Sequence, residues 1–141
     1  MTIPKPSVFI KPPLETKFHI DYGWWERSAE DLHTYLMSHL TPEQREVFQQ
    51  NESDGLIDHI DPDTGEVKRM DALRLALQRA AAEPDFINQH SSLVDSVFRV
   101  FLRNDNTPQT PGDLSRATGR DAETILKTLS GRRTYKGIKP A

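Results

Sequence analysis

Cysteine is absent from the 141-residue chain. That removes disulfides, thiolate metal sites and a cysteine nucleophile, and it fits a reducing compartment. Long apolar runs are missing too: none approaches the roughly 20 residues a membrane-crossing helix needs. Pro4, Pro6, Pro12 and Pro13 stand where an export signal would require an apolar helix. A soluble, cytoplasmic protein with no membrane partner is expected. Apolar residues are scarce at 35% against 28% charged, so the core must be small and much of the chain must lie near water. The length allows one ordinary domain or two very small ones. Catalytic signatures are lacking as well. There is no glycine-rich phosphate loop, no nucleophile elbow and no His-Glu-x-x-His, and the carboxylates form no recognisable pair. Neither an enzyme nor a cofactor is expected.

What is present is an uneven charge. The net charge is -3, but residues 92 to 141 hold nine Lys/Arg against five Asp/Glu, and residues 1 to 91 hold nine against sixteen. A basic third in a small acidic chain suits a polyanionic partner, with the acidic remainder serving another purpose.

Residues 1 to 16 carry prolines at a density that forbids helix, and read as an extended arm. Residues 17 to 91 read as an acidic helical subdomain. It opens with a short strand over 17 to 22, followed by one amphipathic helix over 24 to 40 on the spacing of Trp25, Ala29, Leu32, Leu36 and Leu40. Thr41, Pro42 and Gln44 form the start signal of a second helix that fades by Asn51. A polar hairpin is expected over 56 to 70, turning at Asp61 to Gly65, and then a helix with Leu73, Ala76, Leu77 and Ala80 on one face, stopped at Glu83-Pro84. Ser92 and Asp95 open the most apolar helix, carrying Val94, Val97, Phe98, Phe101 and Leu102.

The tripeptide HID occurs at His19-Ile20-Asp21 and His59-Ile60-Asp61. Residues two apart share a strand face, so two such pairs would converge on a metal if their strands met. Asp61 is better explained as a turn residue, and no metal site is expected. His33 and His39 lie six apart, point to different sides of their helix and are assigned to the surface. Phe9, Trp24 and Trp25 are the candidate partner-binding residues, because adjacent tryptophans on a helix cannot both face one core.

Beyond Asn106, Thr110, Pro111 and Asp113 start a two-turn helix that ends at Gly119, and Asp121 caps another that runs to Ser130. With Leu114, Ser115, Gly119, Thr124, Ile125 and Leu129 in that order, residues 92 to 141 resemble the helix-turn-helix superfamily and its winged members. The resemblance implies a trihelical unit whose wing position is taken by 132 to 138, as a short wing or tail. It also implies duplex DNA as partner. Thr124, Lys127 and Thr128 would face base edges, and Arg116, Arg120, Arg132, Arg133, Lys136 and Lys139 would face phosphates. Arg120, Asp121 and Glu123 depart from the usual pattern, although acids at a helix start complement its dipole.

The expected fold is therefore α+β, mainly α: an arm, an acidic helical part with a hairpin, and a basic trihelical unit. The expected function is that of a small transcription-regulator-like DNA-binding protein whose acidic half self-associates or meets another protein. The alternative is a non-enzymatic adaptor, or a subunit of a larger nucleoprotein assembly, in which the helix-turn-helix is structural.

Overall fold

Side-chain caps set most of the helix boundaries. The computed structural model describes residues 13–51, 56–60, 65 and 67–141, with the backbone alone at 51, 56–60 and 67–71. The described residues are mainly helical, with two small antiparallel sheets of two strands each. Strand β1 (Phe18–Ile20) leads into α1 (Tyr22–Arg27), α2 (Leu32–Met37) and α3 (Pro42–Asn51). The hairpin strands β2 (Leu56–Ile60) and β3 (Val67–Asp71) follow, then α4 (Ala72–Ala81), α5 (Leu93–Arg103), α6 (Pro111–Thr118), α7 (Ala122–Leu129) and β4 (Ile138–Pro140). Phe9 and the greater part of the arm lie outside the described residues, as do Asp61 to Thr64 of the expected turn.

The single helix expected over 24 to 40 is in fact two. Ser28 leaves α1 in an extended conformation, and its hydroxyl accepts from the Glu30 N–H at 3.0 Å. Asp31 then caps α2 through the His33 N–H and the Thr34 hydroxyl. These short polar side chains give the backbone an alternative to helix, and the break prevails over the apolar spacing. The other caps form as expected. Gln44 and Thr41 bond reciprocally at the start of α3, Ser92 accepts from Asp95, and Thr110 and Asp113 close a capping box on α6.

Two apolar clusters fill the interior. The first joins Phe18 and Ile20 of β1 and Trp25 of α1 to Val97, Phe98 and Phe101 of α5, Leu114 of α6, Ile125, Leu126 and Leu129 of α7, and Ile138 of β4. The second joins Leu40 and Phe48 to the inner face of α4 and to Phe86. Leu36, Ile87 and Leu102 touch both. Two arginines of α5 strengthen this seam by bonding carbonyls at and beyond the end of α4: Arg99 to Phe86, and Arg103 to Ala81 and Glu83. Carbonyls left open at a helix C-terminus favour cations in this way.

The first and last of the described strands meet in the smaller sheet. β1 pairs with β4, Phe18 opposite Pro140 and Ile20 opposite Ile138. On its other side, Phe18 exchanges two backbone hydrogen bonds with Gln109, at 2.8 and 2.9 Å. Residues 132 to 137 contain no strand, so the segment after α7 reaches β1 as a tail rather than folding back on itself. Gly137 permits this approach at φ +76°, because a Cβ there would meet the Asp21 carbonyl at 2.9 Å and Trp25 Nε1 at 3.0 Å.

Gly119 is also left-handed, at φ +74°, but a Cβ there would find ordinary space. Gly119→Ala should therefore lose only the backbone preference, about 1–2 kcal/mol. Gly137→Ala should lose that and about 1–3 kcal/mol more through steric displacement. Urea unfolding of the two variants checks this order, and equal losses would contradict the close packing of 137 on Trp25.

Candidate nucleic-acid interface

The trihelical unit is built by burial and caps together. Leu114, Ile125, Leu126 and Leu129 turn inward, Thr118 bonds the Leu114 carbonyl, and left-handed Gly119 ends α6 so that Asp121 can open α7. Asp121 accepts from the N–H and hydroxyl of Thr124 at 3.0 and 2.9 Å. These bonds, the backbone one first, hold its carboxyl below the usual range. The Thr110 N–H does the same for Asp113. Both acids are thereby tied to helix starts.

The expected DNA-facing residues divide into two groups. Thr124, Lys127, Arg132 and Arg133 are exposed, and Thr128 is half-buried with its hydroxyl donating to the Thr124 carbonyl at 2.8 Å. Among the described residues no ion pair forms on Lys127, Arg132 or Arg133, and Arg133 lies over the Tyr135 ring at 5.2 Å. The other cations are engaged. Arg116 pairs with Asp113 but keeps three-quarters of its side chain in solvent. Arg120 donates to the Ser91 and Gln89 carbonyls ahead of α5, Lys136 binds Glu30 and lies over Tyr35 at 4.7 Å, and Lys139 stands 3.6 Å from Asp21. A continuous positive face through Arg120 and Lys136 is therefore not formed. The anchors Glu30, Asp21 and the carbonyls of Gln89 and Ser91 carry no local sequence signal, since each meets its cation from a distant part of the chain.

Of the candidate partner-binding residues, Trp25 is buried, stacked on Tyr35 at 5.3 Å and edge-on to Phe98 at 6.3 Å. Trp24 is half-buried against the edge of Trp25. No group of His, Asp and Glu suited to a metal occurs among the described residues, and none of their helices is long and apolar enough to cross a membrane.

His33 is exposed as expected, but His39 is buried, stacked on Phe98 at 5.3 Å and meeting Tyr35 edge-on. His39 lies just beyond the end of α2, three residues after Leu36 and four after Tyr35, on the side that packs against α5. The Tyr35 hydroxyl in turn donates to Asp95, and burial first, then this bond, raises its pKa and keeps it protonated. Arg99 Nε donates to His39 Nδ1 at 2.9 Å. A guanidinium can only donate, so Nδ1 is the acceptor and the ring is neutral with its proton on Nε2. Burial, then the Arg99 charge, holds the His39 pKa down to about 4, against a weaker opposing pull from Asp95.

A depressed histidine favours the folded state only while it is neutral in both states. Between pH 6.5 and 4 the unfolded chain binds the proton and the folded chain does not, so stability falls as pH falls. From pH 7.5 to 5 this one group should cost about 2 kcal/mol. In His39→Gln an amide oxygen still accepts from Arg99 but nothing titrates, so that part of the pH slope should vanish from urea unfolding curves. An unchanged slope would place the proton uptake elsewhere.

Comparison with known protein families, with curated proteins and with solved structures finds no match to this chain.

Proposed function

We propose that this chain is a small, non-enzymatic, duplex-DNA-binding protein of the transcription-regulator type, docking through the outward side of α7 and the loop after it. The observation that carries the reading is the group Lys127, Arg132 and Arg133, exposed together and without carboxylate partners among the described residues. Around it, α6 and α7 meet at a left-handed glycine and bury their apolar sides on α5, which leaves the other side of α7 to solvent. Thr124, Lys127 and Thr128 face base edges in this arrangement, while Arg132 and Arg133 neutralise phosphates and set register without reading sequence. Arg116, paired with the half-buried Asp113 but three-quarters in solvent itself, joins them. Arg120, Lys136 and Lys139 serve as internal ties that position the basic segment.

With about three phosphate contacts, the logarithm of affinity should fall with the logarithm of salt at a slope near -3. Replacing Lys127, Arg132 and Arg133 with Ala should remove most of that slope. Replacing Lys139 alone should change it little. Mobility shift of mixed genomic fragments across a salt series checks this. Wild-type protein with no salt-sensitive binding would reject DNA docking and leave α6 and α7 as a packing unit.

A further inference from the structure

Away from the basic segment, α1, α2, α4 and the end of α5 enclose an open cleft of about 740 Å³ that receives no residue from α6 or α7. Its volume lies within the range of small-molecule sites, about 300–1,000 Å³. Leu36, Leu77 and Leu102 make its floor apolar, and Tyr22, Gln78 and Asp105 stand at a polar rim. Two arginines, Arg74 and Arg103, also line it.

These charges differ in what they can offer a ligand. Arg74 already has a partner. Arg103 spends Nε and one terminal nitrogen on the Ala81 and Glu83 carbonyls, at 2.9 and 3.0 Å, so its charge is met by the C-terminal end of α4. Asp105 has no such engagement. Its carboxylate makes no hydrogen bond or ion pair among the described residues, and neither the Tyr22 hydroxyl nor the Gln78 amide makes a hydrogen bond there. The backbone of Asp105 is nonetheless held, because the next residue clamps Ile20: the Asn106 amide accepts from its N–H at 2.8 Å and donates to its carbonyl at 2.9 Å. The carboxylate also acts on Tyr22, whose phenol is raised first by burial and then by Asp105, and is drawn back by Arg74.

An anion entering the cleft would meet a carboxylate that nothing offsets, and an uncharged apolar molecule would strip water from that carboxylate without replacing it. A protonated amine supplies the missing charge, and its donors suit a rim whose carboxylate, hydroxyl and amide oxygens can all accept. We propose that the cleft binds a primary amine with an apolar body, the ammonium paired with Asp105 beside the Tyr22 hydroxyl and the body lying on the leucine floor. This site stands apart from α7, so it is tested without DNA and its failure would not touch the DNA reading.

The probe is 2-phenylethylamine, compared with 2-phenylethanol, which keeps the body but carries no charge, and with 3-phenylpropanoate, which reverses the charge. Calorimetric titration of the full chain should show saturable binding of the amine at or below about 1 mM, with the alcohol at least about tenfold weaker and the anion weaker still. Asp105 has left-handed backbone, at φ +59°, which Asn tolerates equally well. Asp105→Asn should therefore fold, as circular dichroism would confirm, weaken the amine by about tenfold and leave the alcohol unchanged. Absence of saturable binding by the amine, an alcohol or anion that binds as tightly, or an Asp105→Asn variant of unaltered amine affinity would each overturn the proposal.

Discussion

Three residues of extended chain hold this fold together. β1 is too short to persist as an isolated pair, and it forms because both of its edges are occupied. β4 pairs along one edge, and on the other Gln109 and the Asn106 amide bond to the backbone of Phe18 and Ile20. The two side chains it delivers, Phe18 and Ile20, are wholly buried among α5, α6 and α7. The trihelical unit therefore does not close on itself. Its core is completed by a strand and a tryptophan from the other end of the chain. The left-handed backbone at Asn106 belongs to this constraint, because the turn after α5 presents the amide that grips Ile20.

This dependence explains which parts of the structure could be read in the sequence. The starts of α3, α5, α6 and α7 were legible because a cap acts within three residues: Thr41 with Gln44, Ser92 with Asp95, Thr110 with Asp113, Asp121 with Thr124. Gly119 as the end of α6 was legible for the same reason. The pairing of β1 with β4 was not, since it joins three-residue strands from opposite ends of the chain, and segments so short carry no periodicity to match. The break between α1 and α2 was written in Ser28 and Asp31, but the apolar spacing around them was regular enough to obscure it.

The candidate interface was legible to the same degree. Composition identified the basic segment, and local signals placed α7 within it. Which cations stay free is a tertiary question, because the partner of Lys136 is Glu30 and the partners of Arg120 are carbonyls before α5. Net charge thus overstates the cations available to a polyanion. Two of the nine in residues 92 to 141, Arg99 and Arg103, are spent bonding carbonyls at and beyond the end of α4.

The engaged cations also account for the placement of the free ones. Lys136 and Gly137 both adopt left-handed backbone, Lys136 is fixed by Glu30 and by the face of Tyr35, and Gly137 is seated on Trp25. Arg132 and Arg133 lie between this anchor and the end of α7, so the reach of their side chains is limited by two fixed points a few residues apart. A charge held in this way loses less conformational freedom on meeting a phosphate than one on a free tail. The contacts that close the first core, from β4 through Trp25 to Tyr35, are therefore the same contacts that position the exposed basic loop.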